Sequence, residues 1–228
     1  RPERRGRGVT AKRDPEDGES SAGLLLGDSL LFQLALRGVV RIQDLAAAAG
    51  AADDEVAATV AVLEEEGLVL RRPRGADEHV SPTPLGRERA VGVVAAESGA
   101  LRASIAAIDA DFAALNRRVK QILLRWQVRA DRPTQMPNDH ADARYDRAVL
   151  AELREVHHAA DALLVHLERL RPRYANLRRR LRDSLARAFA GDVRAVAGVT
   201  VDSFHTAWWE LHGDLLAILG RVRGEADA

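Results

Sequence analysis

Residues 42–90 read IQDLAAAAGAADDEVAATVAVLEEEGLVLRRPRGADEHVSPTPLGRERA, and they carry the most specific fold signal of the sequence. A short apolar helix pattern ends at Gly50, and a second pattern, with an apolar residue at every third or fourth position, ends at Gly67. Two short segments of strand-forming residues then flank a turn sequence at 73–76. Thr83 followed by proline is typical of a helix start, because proline fits the first helical position. The stretch therefore predicts two helices, a β-hairpin and a further helix.

The residues before this stretch predict one more helix and a strand. Asp28 is placed to cap a helix that ends at Gly38, and two valines that follow predict a short strand. Residues 1–22 are polar, first basic and then acidic, and they contain little that a core could bury. We therefore expect residues 1–22 to form a disordered charged leader.

Three helices followed by a two-stranded hairpin resemble the winged-helix family, in particular the MarR-like transcriptional regulators. The segments that carry the resemblance are IQDLAAAAG, VAATVAVLEEEGLVLRR and VSPTPLGRERA. The resemblance implies that residues 23–89 form a winged helix-turn-helix domain with a small β-hairpin wing. It also implies that the partner is double-stranded DNA.

Residues 90–228 carry helix patterns throughout. In the first of them the apolar residues alternate steps of four and three, which is the pattern of a coiled-coil-like seam. The seam consists of Leu101, Ile105, Ile108, Phe112, Leu115, Val119, Ile122 and Trp126. Asn138 or Asp139 is expected to cap a second long helix, and two more helices follow Pro172. We therefore expect a mainly α protein in which residues 90–228 form an antiparallel helical bundle for ligand sensing, dimerisation or both.

The composition excludes several classes of function. The chain of 228 residues has a formal net charge of +0, so no overall field attracts it to nucleic acid or membrane. It has no cysteine, which excludes disulfides and thiolate chemistry, and it has no apolar run long enough to span a bilayer. It also lacks a glycine-rich phosphate loop, a nucleophile elbow and a zinc-protease motif. We expect a cytoplasmic protein that is not an enzyme and does not bind membranes.

The DNA-binding face has an unusual charge pattern. In winged-helix proteins the third helix reads the major groove, but the corresponding segment here, 53–66, offers carboxylates and no arginine, lysine, asparagine or glutamine. Polar and basic side chains of the second helix and the hairpin are better placed to grip phosphates. The predicted DNA-binding residues are Arg41, Gln43, Thr59, Arg71, Arg72 and Arg74. The alternative is a winged helix that is used for protein contacts.

Histidines, tryptophans and aspartates cluster in two parts of the helical domain, around the loop at 126–146 and in the last helix. They could hold a divalent metal, line a pocket for a small organic anion or aromatic ligand, or serve as hydrogen-bonded packing residues. With the pocket as the working interpretation, we expect no metal and no cofactor. The predicted ligand-binding residues are Trp126, Asp139, His140, His157, Asp202, His205, Trp209 and His212.

Together these features predict a transcriptional regulator that acts as a homodimer and responds to a small-molecule effector. The alternative is an accessory module that binds no DNA and that belongs to, or acts with, a larger enzyme. The segments LNRRVKQILLRWQVR (115–129) and PNDHADARYDRAVLAELREVH (137–157) are similar to C-terminal regions of some phosphoenolpyruvate-utilising proteins. A run of arginines between 169 and 187 is interpreted as a solvated helix face, and the alternatives are an anion site or a contact with an acidic surface.

Overall fold

The computed structural model describes residues 16–75, 77–95, 99–129, 136–171, 173–199, 201–221 and 224. The described residues are mainly helical, with 74% of them in helix, and they include a small antiparallel sheet. The mainly α fold class expected from the sequence is therefore confirmed at this level.

The first part of the chain combines helices with a three-stranded sheet. Its elements are α1 (Glu16–Arg37), β1 (Val40–Arg41), α2 (Ile42–Ala49), α3 (Asp53–Glu65), β2 (Val69–Arg74), β3 (Asp77–Pro82) and α4 (Pro84–Ala95). The strand order is β1-β3-β2, and both pairings are antiparallel. The predicted hairpin is confirmed, as are the helix ends at Gly50 and Gly67, whose φ angles of 70° and 72° lie in the left-handed region that glycine tolerates.

The second part of the chain is helical apart from one short strand pair. Its elements are α5 (Gly99–Gln127), β4 (Val128–Arg129), β5 (Met136–Pro137), α6 (Ala143–Leu170), α7 (Arg173–Phe189), α8 (Arg194–Ala197) and α9 (Phe204–Ile218). The helices α5, α6, α7 and α9 pack on one another in that order along the chain.

Two helix starts differ from the sequence predictions. Helix α1 begins at Glu16 instead of Asp28, so residues 16–22 are helical where a disordered leader was expected. Several acidic residues in this segment suit the first turns of a helix, whose N-terminus carries partial positive charge. The rest of the predicted leader lies outside the described residues. Helix α6 is capped by Asp142, whose side chain accepts hydrogen bonds from the backbone N–H groups of Arg144 and Tyr145, and not by Asn138 or Asp139.

The buried apolar side chains form two clusters. One draws on residues between Leu30 and Ala90, and the other on residues between Val94 and Ile218. The predicted seam of α5 belongs to the second cluster, where six of its eight residues are buried and Ile108 and Leu115 are partly buried. This seam closes against α6 and α9 of the same chain, so it is not an open dimerisation surface.

Helix α9 is the central element of the second part. It packs against α5, α7 and α8, and it also contacts α1 and α4 of the first part. Its buried positions lie on all sides of the helix and include Glu210, His212 and Asp214. Buried carboxylates require partners, because an unpaired charge away from water is costly. The partners come from α7, where Arg180 binds Glu210 and Arg173 binds Asp214.

Polar contacts also join the two parts of the chain. The Nε atom of Arg37, at the end of α1, lies 3.3 Å from Oε1 of Glu210 in α9. The side-chain amide of Asn176 in α7 donates a hydrogen bond to the carbonyl oxygen of Ala48 in α2. Phe32 of α1 packs against the second apolar cluster. These contacts fix α1 and α2 against the helices that follow.

Candidate functional site

The sheet register brings three basic side chains into one row. Arg41 pairs with His79, and His79 pairs with Arg72 on its other side. Directly paired residues of antiparallel strands point to the same face, so these side chains lie side by side on the outer face of the sheet. Val40 and Val80, one position along, point to the opposite face and are buried. The outer face of the sheet therefore carries these basic side chains, whereas its inner face belongs to the apolar core.

Two of the predicted DNA-binding arginines are held by carboxylates. Arg41 donates to Asp44 from Nε at 2.7 Å and from Nη2 at 2.8 Å. Arg71 donates from Nε to Glu64 at 2.6 Å, and this hydrogen bond lowers the pKa of the Glu64 carboxyl below its ordinary value. The guanidinium charges of Arg41 and Arg71 are thus each largely balanced by a nearby carboxylate.

The other four predicted DNA-binding residues lie in different surroundings. Gln43, Arg72 and Arg74 are exposed, and within the described ranges Arg72 and Arg74 form no ion pair. Thr59 is partly buried: its hydroxyl donates to the carbonyl of Glu55 at 2.8 Å, and its methyl carbon lies 3.7 Å from where a Cβ on Gly27 would be. The side chains that are available for DNA contact are therefore Gln43 on α2 and Arg72 and Arg74 on the hairpin. Thr59 is not among them.

Taken together, the charges of α2, α3 and the hairpin are unfavourable for phosphate binding. Residues 40–82 contain four arginines and nine aspartates and glutamates. Asp53, Asp54 and Glu55 are exposed at the start of α3, and Glu65 and Glu66 are exposed at its end. Phosphate groups are repelled by such a helix, so α3 is a poor reader of DNA.

A groove of about 550 Å³ lies between the β2–β3 hairpin and α9. One wall comes from the end of α1, from β1 and from the outer face of the hairpin, and it carries Arg37, Arg41 and Arg74 together with His79. The other wall comes from α9 and the segment before it, and it carries His205, Thr206, Trp209 and Val199. The groove therefore joins two predicted DNA-binding residues to two predicted ligand-binding residues.

The groove has an exposed apolar lining beside its arginines. The exposed fractions are 61% for Val39, 73% for Val199 and 39% for Trp209. Large apolar side chains that gather around a concave surface are typical of a binding site, whereas single ones scattered over a surface are ordinary. The groove is thus both apolar and cationic.

Two nitrogen atoms at the groove wall are buried without a hydrogen-bond partner in the described structure. They are Nη1 of Arg37 and Nδ1 of His79. Most buried polar groups in folded proteins are hydrogen-bonded, and leaving one unpaired costs about 1–3 kcal/mol. Both atoms are enclosed by protein, so a molecule in the groove would reach either of them only after a shift of the side chain.

The first three predicted ligand-binding residues lie between the end of α5 and the start of α6, where Trp126 and His140 pack on each other. The rings of Trp126 and His140 are 4.5 Å apart, and Nδ1 of His140 lies 2.9 Å from Oδ2 of Asp146. Asp139 is exposed and accepts a hydrogen bond from the backbone of Ala141 at 3.1 Å. None of the three lines the groove.

Asp202 and His212 also have partners elsewhere. Asp202 accepts hydrogen bonds from Nε and Nη2 of Arg180 at 2.9 and 2.6 Å. His212 is buried, with its ring 5.5 Å from that of Phe112. Within the described ranges no three histidine, aspartate or glutamate side chains come together as a metal site would require. The predicted set of eight residues is thus dispersed, and only His205 and Trp209 line the groove.

His157 lines a different cavity, of about 360 Å³, between α6 and α7. The charged groups of this cavity are already paired, because Arg178 binds Asp161 at 2.6 Å and Glu168 at 3.2 Å. Burial lowers the pKa of His157 below the ordinary histidine value, although the nearby Asp161 carboxylate acts in the opposite direction. The neutral imidazole is therefore the form that the fold favours.

We expect His157 to make the protein less stable in mild acid. Its pKa is lower in the folded than in the unfolded chain, so the unfolded chain binds the proton first as the pH falls below about 6.5. The free energy of unfolding should then decrease until the pH passes the lowered pKa. Urea denaturation of the wild type and of His157→Gln on either side of pH 6.5 measures this, and the variant should lose less stability in acid.

His166→Gln is the matched control, because His166 lies on the same helix and is exposed, and it does not line this cavity. Its replacement should leave the acid-induced loss of stability unchanged. An equal effect of the two substitutions would show that burial of His157 is not the cause.

Sequence reasoning missed several residues of the groove, among them Arg37, Val39, Val199 and Thr206. A basic residue at a helix end, such as Arg37, is readily interpreted as a partner of the helix dipole. Its structural partner, Glu210, is distant in sequence, and no local pattern links the two. The exposed valines carry no polar signal at all.

Among the described residues, no helix is both long and apolar enough to cross a membrane. Comparison of the chain with protein-family models, with curated proteins and with solved structures finds no match.

Proposed function

We propose that the protein is a winged-helix transcriptional regulator that contacts the DNA backbone through its hairpin and senses a small molecule. The order helix, strand, helix, helix, hairpin and the sheet order β1-β3-β2 support a winged helix. The observation that carries the proposal is the pair Arg72 and Arg74, which are exposed on the hairpin and form no ion pair within the described ranges. Gln43 of α2 is exposed as well and adds a polar contact.

The proposed contact differs from one made by a recognition helix. The exposed carboxylates of α3 exclude it from close approach to phosphates. The hairpin arginines would instead bind phosphates or enter the minor groove, which gives affinity with little reading of bases. The working form would be a homodimer, because two joined units double the number of phosphate contacts. Since the α5 seam is buried within one chain, that dimer would need another surface.

DNA binding should be weak and moderately salt-dependent. Each phosphate contact contributes a slope of about −0.9 to the logarithm of the binding constant against the logarithm of the salt concentration. Two arginines per chain therefore predict a slope of about −1.8 per chain. Fluorescence anisotropy of labelled genomic fragments, titrated with protein at several salt concentrations, measures both the affinity and the slope.

The substitutions Arg72→Gln and Arg74→Gln should each weaken binding and each reduce the slope by about 1. Arg147→Gln is the matched control, because Arg147 is also exposed but lies on α6, away from the hairpin. No binding at low salt, or equal effects of all three substitutions, would refute the proposal.

A second candidate function is a regulatory module that binds no DNA and acts with a larger enzyme. The observation that favours it is the negative charge of residues 40–82, which contain nine carboxylates and only four arginines. This charge pattern suits a protein partner better than it suits a polyanion. The same titration separates the two functions, since the module should show no DNA affinity even at low salt.

A further inference from the structure

We propose that the groove between the hairpin and α9 binds an amphipathic organic anion, and that this ligand competes with DNA for Arg74. The anionic group would lie between Arg37, Arg41 and Arg74, and the apolar body would lie against Trp209 and the exposed valines. The competition with DNA rests on the proposed function, whereas binding of the anion does not.

The charge of the groove favours an anion. Among the described residues that line it are three arginines and one carboxylate, that of Asp44. Asp44 is paired with Arg41, and the Glu210 carboxylate near Arg37 is shared with Arg180. The positive charge of Arg74 has no such partner in the described part of the chain. An incoming carboxylate, sulfonate or phosphate monoester would therefore meet an excess of positive charge.

Arg37 supplies a donor that the fold itself leaves unused. Its Nε faces Glu210 at 3.3 Å, but its Nη1 is buried and has no hydrogen-bond partner in the described structure. Guanidinium groups bind carboxylates well because they present two parallel N–H donors. Because Nη1 is enclosed, a rotation of the Arg37 side chain toward the groove would bring this donor to a ligand oxygen, which would then fix the anionic end of the ligand at the α1 wall.

The remainder of the groove selects an apolar body. Val39, Val199 and Trp209 are exposed around a volume of about 550 Å³, which is within the usual range for small-molecule sites. The indole of Trp209 offers a flat surface on which an aromatic ring can stack. Inorganic anions would use the arginines but leave these apolar residues in water, so they should bind more weakly than an aromatic carboxylate.

Ligand and DNA would use the same side chain. Arg74 lines the groove, and it is also one of the two hairpin arginines proposed to contact phosphates. A guanidinium that binds a ligand carboxylate is no longer available to a phosphate, so the bound anion should lower the DNA affinity. This regulation needs no change of fold, since it follows from competition for one charge.

The test compares two probes of the same shape, 2-naphthoate and its uncharged analogue 2-naphthamide, by isothermal titration calorimetry on the full chain. We expect 2-naphthoate to bind and 2-naphthamide to bind about tenfold more weakly or not at all. Arg74→Gln and Trp209→Ala should each weaken 2-naphthoate binding about tenfold, whereas Arg147→Gln should leave it unchanged. Both test residues are surface positions, so the variants are expected to fold, and circular dichroism checks this.

Three results would overturn the groove proposal: equal affinity for the two probes, no binding of 2-naphthoate at millimolar concentration, or the same effect of Arg74→Gln and Arg147→Gln. The DNA competition has a separate readout, a lower anisotropy of labelled DNA when 2-naphthoate is added at constant ionic strength. If 2-naphthoate binds but DNA does not bind at low salt, the groove is supported and the regulator function fails. If DNA binds and 2-naphthoate does not, the regulator stands and the groove proposal fails.

Discussion

An Arg180→Ala variant is expected to lose about 3–5 kcal/mol of unfolding free energy, which is the usual cost of removing one partner of a buried ion pair. Arg180 is 2% exposed and Glu210 is 4% exposed, so neither charge can turn to water. Nη1 of Arg180 lies 2.5 Å from Oε2 of Glu210, and Nη2 lies 2.6 Å from Oδ1 of Asp202. Alanine would leave both carboxylates without this guanidinium.

The loss reflects the stranded carboxylates more than any net benefit of the ion pair. Bringing charges out of water costs nearly as much as their attraction returns, and apolar residues of similar size often serve as well. Arg180→Met combined with Glu210→Leu should therefore recover part of the stability lost in Arg180→Ala. Arg37, the other guanidinium near Glu210 in the described structure, limits the recovery because it would then lose its own partner.

Arg182→Ala is the control for this prediction. Arg182 lies on the same helix and pairs with Asp183 at 2.9 Å, but its side chain is 67% exposed. Surface pairs of this kind contribute about 0–1 kcal/mol, so the variant should remain close to the wild type. Urea denaturation followed by circular dichroism gives both values. Similar losses in the two variants would show that Arg180 is not the central charge of a buried network.

These two arginines illustrate the limit of sequence reasoning on α7. The arginine run was interpreted as a solvated face, and this interpretation is wrong for Arg180. The alternation of basic residues within the helix gives no sign of burial, because the decisive partners are Asp202 and Glu210 in later elements. Pairings between distant segments depend on tertiary packing, which a local charge pattern does not encode.

Local patterns were sufficient elsewhere. The apolar steps of four and three in α5 predicted its buried side, because this spacing keeps residues on one face of a helix. The hairpin was predictable from a turn sequence between two strand-forming segments, and the start of α4 from Thr83 and the proline after it. In each case the sequence pattern that predicts the structure lies within one short, continuous segment.

The cap of α6 shows how competing polar residues confuse a local prediction. Asn138 and Asp139 were expected to cap the helix, but the side chain of Asn138 donates to the carbonyl of Trp126 at 3.0 Å and to Asp146 at 2.8 Å. These contacts hold Asn138 against the end of α5, and Asp142 becomes the cap. Any of the three side chains has the chemistry of a cap, so geometry decides among them.

The candidate site was only partly predictable for a related reason. His205, Trp209 and His212 are spaced to share one side of a helix, and a surface helix with this spacing would present them together. Helix α9 is instead surrounded by other helices, so successive turns meet different neighbours. His205 and Trp209 reach the groove, while His212 packs against Phe112. Helical spacing determines the direction in which a side chain points, but it does not determine which residue that side chain contacts.

The neighbouring residues Trp208 and Trp209 should respond very differently to replacement. Trp208 is 3% exposed, and its ring lies 5.3 Å from Phe112 and 6.0 Å from Phe204 in nearly parallel stacks. Its Nε1 donates to Oδ1 of the buried Asn116 at 2.9 Å. Trp208→Ala should lower the free energy of unfolding by about 3–5 kcal/mol, as large-to-small changes of buried aromatic residues do.

Trp209→Ala is the matched control, since Trp209 is 39% exposed at the groove and should cost less than about 1 kcal/mol. If Trp208→Ala is too unstable to purify, Trp208→Phe still tests the contact with Asn116. Phenylalanine retains stacking but leaves the buried Asn116 oxygen without its donor, which should cost about 1–3 kcal/mol. Equal losses for Trp208→Ala and Trp209→Ala in urea denaturation would contradict the central position of α9, because that position is what separates a core tryptophan from one that lines the groove.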